Sequence, residues 1–350
     1  MDTIDRLRAW SYARQRLGDP AGTAEQALRA VVAVYATHPT APLALWARTR
    51  SFTATRYRRI DSARKGLRIP CMRRTVFLVP RKHAAHVFTA VRASPAHAQR
   101  PLKRHGISTR AYEGLAKRIL AAAEEPLPTR ALEDAAGIKA GKLAAVLRCL
   151  RYEGRLLTLA GDSLHMSPHR YVATSAWIPE GLEAGDAADA LAWLASEYLR
   201  AYGPARSADF AWWTGVTKKA AGKALEPHDT VNVGDGLMLL AKDEPAFARV
   251  KRLRAEVALL PKWDAYTMGH APDGRRRFVH PDVQPRVYTP LAVGLPGDGN
   301  PVALVDGEAV ATWTYTQKDG AAVQLFDTLG PKTRRRIDEK LDAVAGLLTS

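Results

Sequence analysis

The 350-residue chain is 47% hydrophobic and 25% charged, with a formal net charge of +17; this excludes disorder as the default and leaves room for roughly two to four domains. No stretch approaches the ~20 consecutive apolar residues of a membrane span, and the opening from Met1 to Arg6 lacks the basic-then-apolar order of a signal peptide, so a cytoplasmic, nucleoid-associated protein is expected. Cys71 and Cys149 have no CxxC partner and no neighbouring histidine pair, which points to structural thiols rather than a disulfide framework or a metal site.

In chain order, an Arg-rich amphipathic stretch from Ile4 to Leu17 comes first. Thr23 with Gln26 reads as a capping box, and Leu28, Val31, Val32 and Tyr35 share one helical face, predicting a helix that ends near Ala36 before Pro39. A second helix is expected around Ala41 to Arg48, and Arg73 to Pro80 has the content of a short strand. Between Arg48 and Arg118 lie 19 Lys or Arg against only Asp61 and Glu113, while the rest of the chain carries 33 of each sign. A regional excess interrupted by apolar residues marks a folded surface facing a polyanion, for which duplex DNA is the best candidate because neutralised phosphates release counterions.

Two later segments follow one plan. In the first, a helix from Tyr112 to Ala123 precedes a short helix from Thr129 to Ala136, a break at Gly137, a longer helix from Lys142 to Tyr152, and two strands around Gly161-Asp162. The second runs from Ala187 to Tyr202, then Ser207 to Trp213, Gly215, Lys218 to Leu225, and strands near Val231 and from Leu237 to Leu240. Helix, short helix, turn, longer helix and hairpin is the winged helix-turn-helix order. From Glu256 onward, strand-like pieces at Val257 to Pro261, Pro301 to Val305 and Glu308 to Tyr315, with a hairpin signal at Asp306-Gly307, suggest a small β-domain closed by a helix from Pro331 to Leu348. The expected fold is mainly α with small β (α+β). It divides into a basic winged-helix-like domain (1–100), winged-helix domains at 101–175 and 176–250, and a C-terminal β-barrel-like domain (251–350).

Several of these segments together resemble the AlkZ-like winged-helix DNA glycosylases. The resemblance rests on Ala13-Arg14-Gln15 and Leu17, Leu45-Trp46-Ala47-Arg48, the run from Met72 to Val79, and Tyr202-Gly203-Pro204 followed by Asp209 to Gly215. It continues through the run from Leu259 to Asp264 and from Leu304 to Gly307, leading to Thr312-Trp313. It implies tandem winged helices lying across double-stranded DNA; the sequence shows no heptad or other dimer signal, so a monomer is expected. It also implies hydrolysis of the N-glycosidic bond of alkylated or bulky adducted purines, in repair or in self-resistance to a genotoxin. Active members carry a Q-x-Q or Q-x-D motif after the second helix. Tyr35-Ala36-Thr37 stands in its place here, followed by His38, so a non-catalytic DNA-binding protein, a damage sensor or transcriptional regulator, is the alternative.

The candidate catalytic residues are therefore Thr37, able to hold a water, Tyr35, His38 as a base near neutral pH, and Asp61 as a cation stabiliser. Each has a plainer reading: core packing for Tyr35, a turn histidine for His38, a local salt bridge for Asp61. Asp264 sits where the resemblance expects an acid, either capping a turn or facing DNA. Candidate DNA contacts are Arg73, Arg74, Lys103, Arg104, Lys142, Arg148, Lys218, Lys219 and Lys223. Trp212-Trp213 reads as core, and Arg275-Arg276-Arg277 as a loop run. No phosphate loop or dinucleotide fingerprint is present, and no cofactor or metal is expected.

Overall fold

Asp2 caps the first helix, Thr3–Arg14, by accepting from the Asp5 amide at 2.7 Å. The computed structural model describes residues 1–37, 39–166, 169–289 and 298–349 of a mixed α/β chain. The apolar face of this helix is covered by distant residues: Trp10 meets Phe247 edge-on at 5.6 Å and Tyr12 meets Tyr266 at 6.3 Å. The N-terminus is thus tied to the end of the molecule rather than to its neighbours in sequence.

The next helix, Ala24–Ala30, carries the expected Thr23–Gln26 capping box but stops six residues short of Ala36. Val31 caps it, Val32 turns to φ 65°, and Val34–Tyr35 forms a two-residue strand with Val34 opposite Leu78 and Tyr35 opposite Phe77. The physical reason is the β-branched run: Val31, Val32 and Val34 crowd a helical turn but fit a pleated edge. Tyr35 is therefore a strand residue, not part of a helical stripe.

After the helix Thr40–Trp46, the helix Ala54–Ser62 leads into a hairpin of Gly66–Pro70 and Val76–Pro80, then the helices Arg81–Val91 and Pro95–Arg104. Of these, the sequence pattern showed the first helix and the second strand. Ala54–Ser62 buries only Tyr57 and Ile60 beneath a coat of arginines, and Pro95–Arg104 buries only Ala98 and Leu102 and is interrupted by Pro101, so each shows an apolar face only two residues long.

The two repeated segments take the element order expected of them. Helices Thr109–Ala122, Thr129–Ala136 and Ala140–Tyr152 are followed by strands Leu156–Leu159 and Arg170–Ala173; the second strand falls beyond the predicted arm at Ser163 to Met166. Helices Ala187–Tyr202, Ser207–Thr214 and Lys218–Leu225 precede the hairpin Thr230–Asn232 and Met238–Leu240. Gly137 and Gly215 occupy equivalent left-handed caps at φ 65° and 83°. One antiparallel sheet spans the first two segments. Its order is Val34–Tyr35, Val76–Pro80, Gly66–Pro70, Leu156–Leu159, Arg170–Ala173 and Leu127–Pro128, joined across Arg68 and Thr158.

Among the described residues the C-terminal region forms no closed barrel. It is an open four-stranded antiparallel sheet in the order Gly320–Leu325, Glu308–Thr316, Val302–Val305, Val257–Leu260. Alternation along Glu308–Thr316 buries Ala309, Ala311 and Trp313, and the sheet is covered on both faces: Ala258, Leu260, Val302 and Leu304 pack with Tyr12, Tyr266 and Phe278, while Val257, Leu259, Ala303 and Ala311 turn to the other side. The helix Pro331–Thr349 covers it through Ile337, Leu341, Val344 and Leu348, in one core with Leu28, Leu45, Ile60 and Leu78. The helices between Ala98 and Tyr152, with Leu156 and Tyr171, form a separate core, while Leu157 and Leu159 face that of the N-terminal hairpin.

Candidate functional site

Three of the segments that carry the resemblance meet in a buried node. Arg48, fully inaccessible, donates to both carboxylate oxygens of Asp264 at 2.6 and 2.9 Å, to Gln15 Oε1 at 3.2 Å and to the Ala44 carbonyl. Asp264 also caps the helix Ala265–Met268 by accepting from the Tyr266 amide. Of its two possible roles it takes the structural one. A second tie links Arg277 to the Pro204 carbonyl at 2.9 Å and Asp209 to Arg206 and the Ala271 amide. Arg275 and Arg277 are therefore packed side chains, 2% and 4% exposed, and only Arg276 of the run is exposed. An arginine stem with a planar head fills such positions as an apolar residue would.

The residues at the altered motif lie on the edge of this assembly. Tyr35 is half-buried, edge-on to Phe77 at 5.6 Å and tilted over Trp263 at 4.5 Å between ring centres. Burial raises its phenol pKa, Asp298 adds to the rise and Arg73 opposes it; the hydroxyl is a proton donor throughout the neutral range. Two residues on, the Thr37 hydroxyl is shielded from solvent and has no hydrogen-bond partner among the described residues. His38 lies outside the described residues. Asp298, absent from the sequence reading, accepts from Trp263 Nε1 at 2.7 Å and pairs with Lys262 at 2.8 Å.

Asp61 is engaged elsewhere, in an ion pair with the buried Arg68, whose guanidinium also donates to the Tyr57 hydroxyl at 2.9 Å. Burial raises the Asp61 pKa against the pull of Arg68. The partner comes from the adjoining strand rather than from the local run of arginines.

Consecutive positive φ angles at Arg73 and Arg74, 49° and 62°, split these two cations. Arg73 turns inward and stacks 4.1 Å above the Trp212 ring, with Arg275 at 4.8 Å from the same ring; burial, then repulsion from Arg275, lowers its pKa to about 10. Trp213 is buried core and Trp212 is half-buried beneath these guanidiniums. Arg74 points out, and its carbonyl accepts from the Tyr152 hydroxyl at 3.0 Å, which also receives Arg148 Nη2 at 3.0 Å. Lys103, Arg104, Lys142, Arg148, Lys218, Lys219 and Lys223 are all exposed.

Folding cancels part of the regional charge excess. Arg50, Lys65, Arg81 and Arg92 pair with Asp19, Glu25, Glu180 and Glu183, while Arg48 and Arg68 are consumed by Asp264 and Asp61. The cations left on the surface without such partners among the described residues include Arg74, Arg100, Lys103, Arg104 and Arg148. Among the described residues, no cluster of three or more His, Cys, Asp or Glu is placed to hold a metal, and no helix is long and apolar enough to cross a membrane.

No curated protein matches the sequence. The structure is similar to that of Streptomyces sahachiroi DNA glycosylase AlkZ, with a TM-score of 0.78 at 17% identity over 99% of this chain and 97% of that one. The family described as DNA glycosylase AlkZ-like matches residues 28–347. With nearly its whole length inside that match, the chain belongs to the AlkZ-like DNA glycosylase family.

Proposed function

We propose that the protein is a monofunctional DNA glycosylase, built from tandem winged-helix units, that removes alkylated or bulky adducted purines from double-stranded DNA in repair or self-resistance. The observation that carries this reading is the shielded Thr37 hydroxyl, without a hydrogen-bond partner among the described residues, two positions after Tyr35 in the segment that stands in place of the glutamine motif. Thr37 orients a water as donor and acceptor. Asp298, the acid whose charge Tyr35 feels, supplies negative potential to an oxocarbenium-like state. Alkylation at purine N7 already makes the base a cationic leaving group, so positioning suffices where a strong base is lacking.

The test is incubation with duplex containing 7-methylguanine followed by mild alkali. Strand breaks above a no-protein control support the reading; none, with duplex binding retained, overturn it. In the latter case the protein is a DNA-binding member without catalysis, a reading favoured by the loss of both glutamine-motif side chains at Tyr35 and Thr37. Thr37→Ala should slow excision by about a hundredfold with unchanged affinity, and Asp298→Asn should slow it while leaving Tyr35 in place.

A further inference from the structure

A cavity of about 290–310 Å³ is common on this surface, but one differs in its walls: the 310 Å³ pocket between the helices Pro95–Arg104 and Ala140–Tyr152. His97, Arg100, Arg104, His105 and Arg148 ring it, and no carboxylate lines it. Its floor is Gly141, Ala144 and Ala145, small enough for a polar chain to approach the helix backbone. None of the three arginines forms an ion pair among the described residues, whereas Arg50, Lys65, Arg81 and Arg92 each do. Arg148 is steered by the Tyr152 hydroxyl, itself fixed on the Arg74 carbonyl, so the rim of the pocket is positioned rather than loose.

We propose that this pocket is a phosphate clamp that grips the DNA backbone independently of base sequence; the inference rests on the DNA-binding reading above but not on any catalysis. The exposed strip of the helix Ala140–Tyr152 bears Gly141, Lys142, Ala144 and Arg148, offering charge and close approach to a phosphate chain. Free phosphate shares the chemistry, but Arg74, Lys103 and Lys142 extend the cationic surface beyond the pocket, which suits a polyanionic chain.

The His97 ring lies 5.5 Å from Tyr152, on the helix Ala140–Tyr152. Burial, then Arg74 from the hairpin turn, Arg100 from its own helix and Arg148 from the facing helix, lower its pKa below the usual histidine value. A bound phosphate reverses that repulsion, so filling the clamp takes up a proton and binding strengthens as the solution is made more acidic than neutral.

The experiment compares wild type, Arg100→Ala/Arg104→Ala, His97→Ala and the remote control Arg334→Ala/Arg335→Ala on a short undamaged duplex over a range of salt and pH. The clamp variant should bind about tenfold more weakly at moderate salt, with a salt slope lower by roughly two; His97→Ala should lose the acid-side gain; the control should match wild type. Equal affinity and slope for clamp variant and wild type overturn the proposal, as does displacement of duplex from wild type by millimolar inorganic phosphate, which assigns the pocket to a free anion. Wild type that binds no duplex overturns the DNA-binding reading together with the clamp. Binding that fails only to produce excision leaves the clamp standing and refutes the glycosylase alone.

Discussion

Arg48 and Asp264 show how far a residue's meaning depends on what it meets. Each is fully buried, 216 positions apart, in a two-pronged pair completed by Gln15. Asp264→Ala leaves a buried guanidinium uncompensated and should cost about 3–5 kcal/mol, whereas replacing both partners by apolar residues should recover most of that loss. Thermal unfolding of the single and double variants checks this; a single variant as stable as the parent would mean that the charge escapes to solvent. The sequence marked Asp264 and Arg48 as family-like but could not pair them, because pairing across the whole chain leaves no local pattern. Arg275 was misread for a related reason: three arginines in a loop look solvated until Trp212 and Tyr288 are seen stacking on one of them, at 4.8 and 4.2 Å. Asp298 was invisible until Tyr35 and Trp263 were brought beside it.

The two glycines after the short helices were legible as breaks, and the structure distinguishes them. A Cβ at Gly137 meets open space, so Gly137→Ala should cost only the left-handed conformation, about 1–2 kcal/mol. At Gly215 the same atom approaches the Arg73 Cα at 3.2 Å and its amide nitrogen at 3.4 Å, so Gly215→Ala should cost more and shift the guanidinium from Trp212. Chemical denaturation of the pair, read with tryptophan fluorescence, measures both; equal losses would contradict the contact. Helices with an apolar stripe and punctuated ends, such as Ala187–Tyr202 and Lys218–Leu225, were readable from pattern to their last residue. Those whose outer face is nearly all arginine were not, and neither was the early end of Ala24–Ala30, where a β-branched run defeats a good helical period. Sheet closure was also beyond pattern: alternation shows that a strand has two faces, and the number of strands that meet decides between an open sheet and a barrel.

At the scale of the molecule, the excess charge of the segment from Arg48 to Arg118 is redistributed by folding. Acids from before and after the segment neutralise part of it, and among the cations left over Arg100 and Arg104 share one pocket with Arg148 of a later helix. The proposed clamp thus lies on the middle helices, while Tyr35 stands among Trp263, Arg73 and Asp298. Gripping and chemistry then fall on different elements, so affinity should depend steeply on salt while the rate within the bound complex should not.

The most direct measurement is release of free 7-methylguanine from duplex at saturating protein, followed chromatographically in single turnover for wild type and Thr37→Ala. Release well above spontaneous depurination by the parent, and its collapse in the variant at equal occupancy, is the predicted result. Release no faster than in protein-free buffer from fully bound duplex, or equal rates for the two proteins, would contradict a water held by Thr37 as the source of the activity.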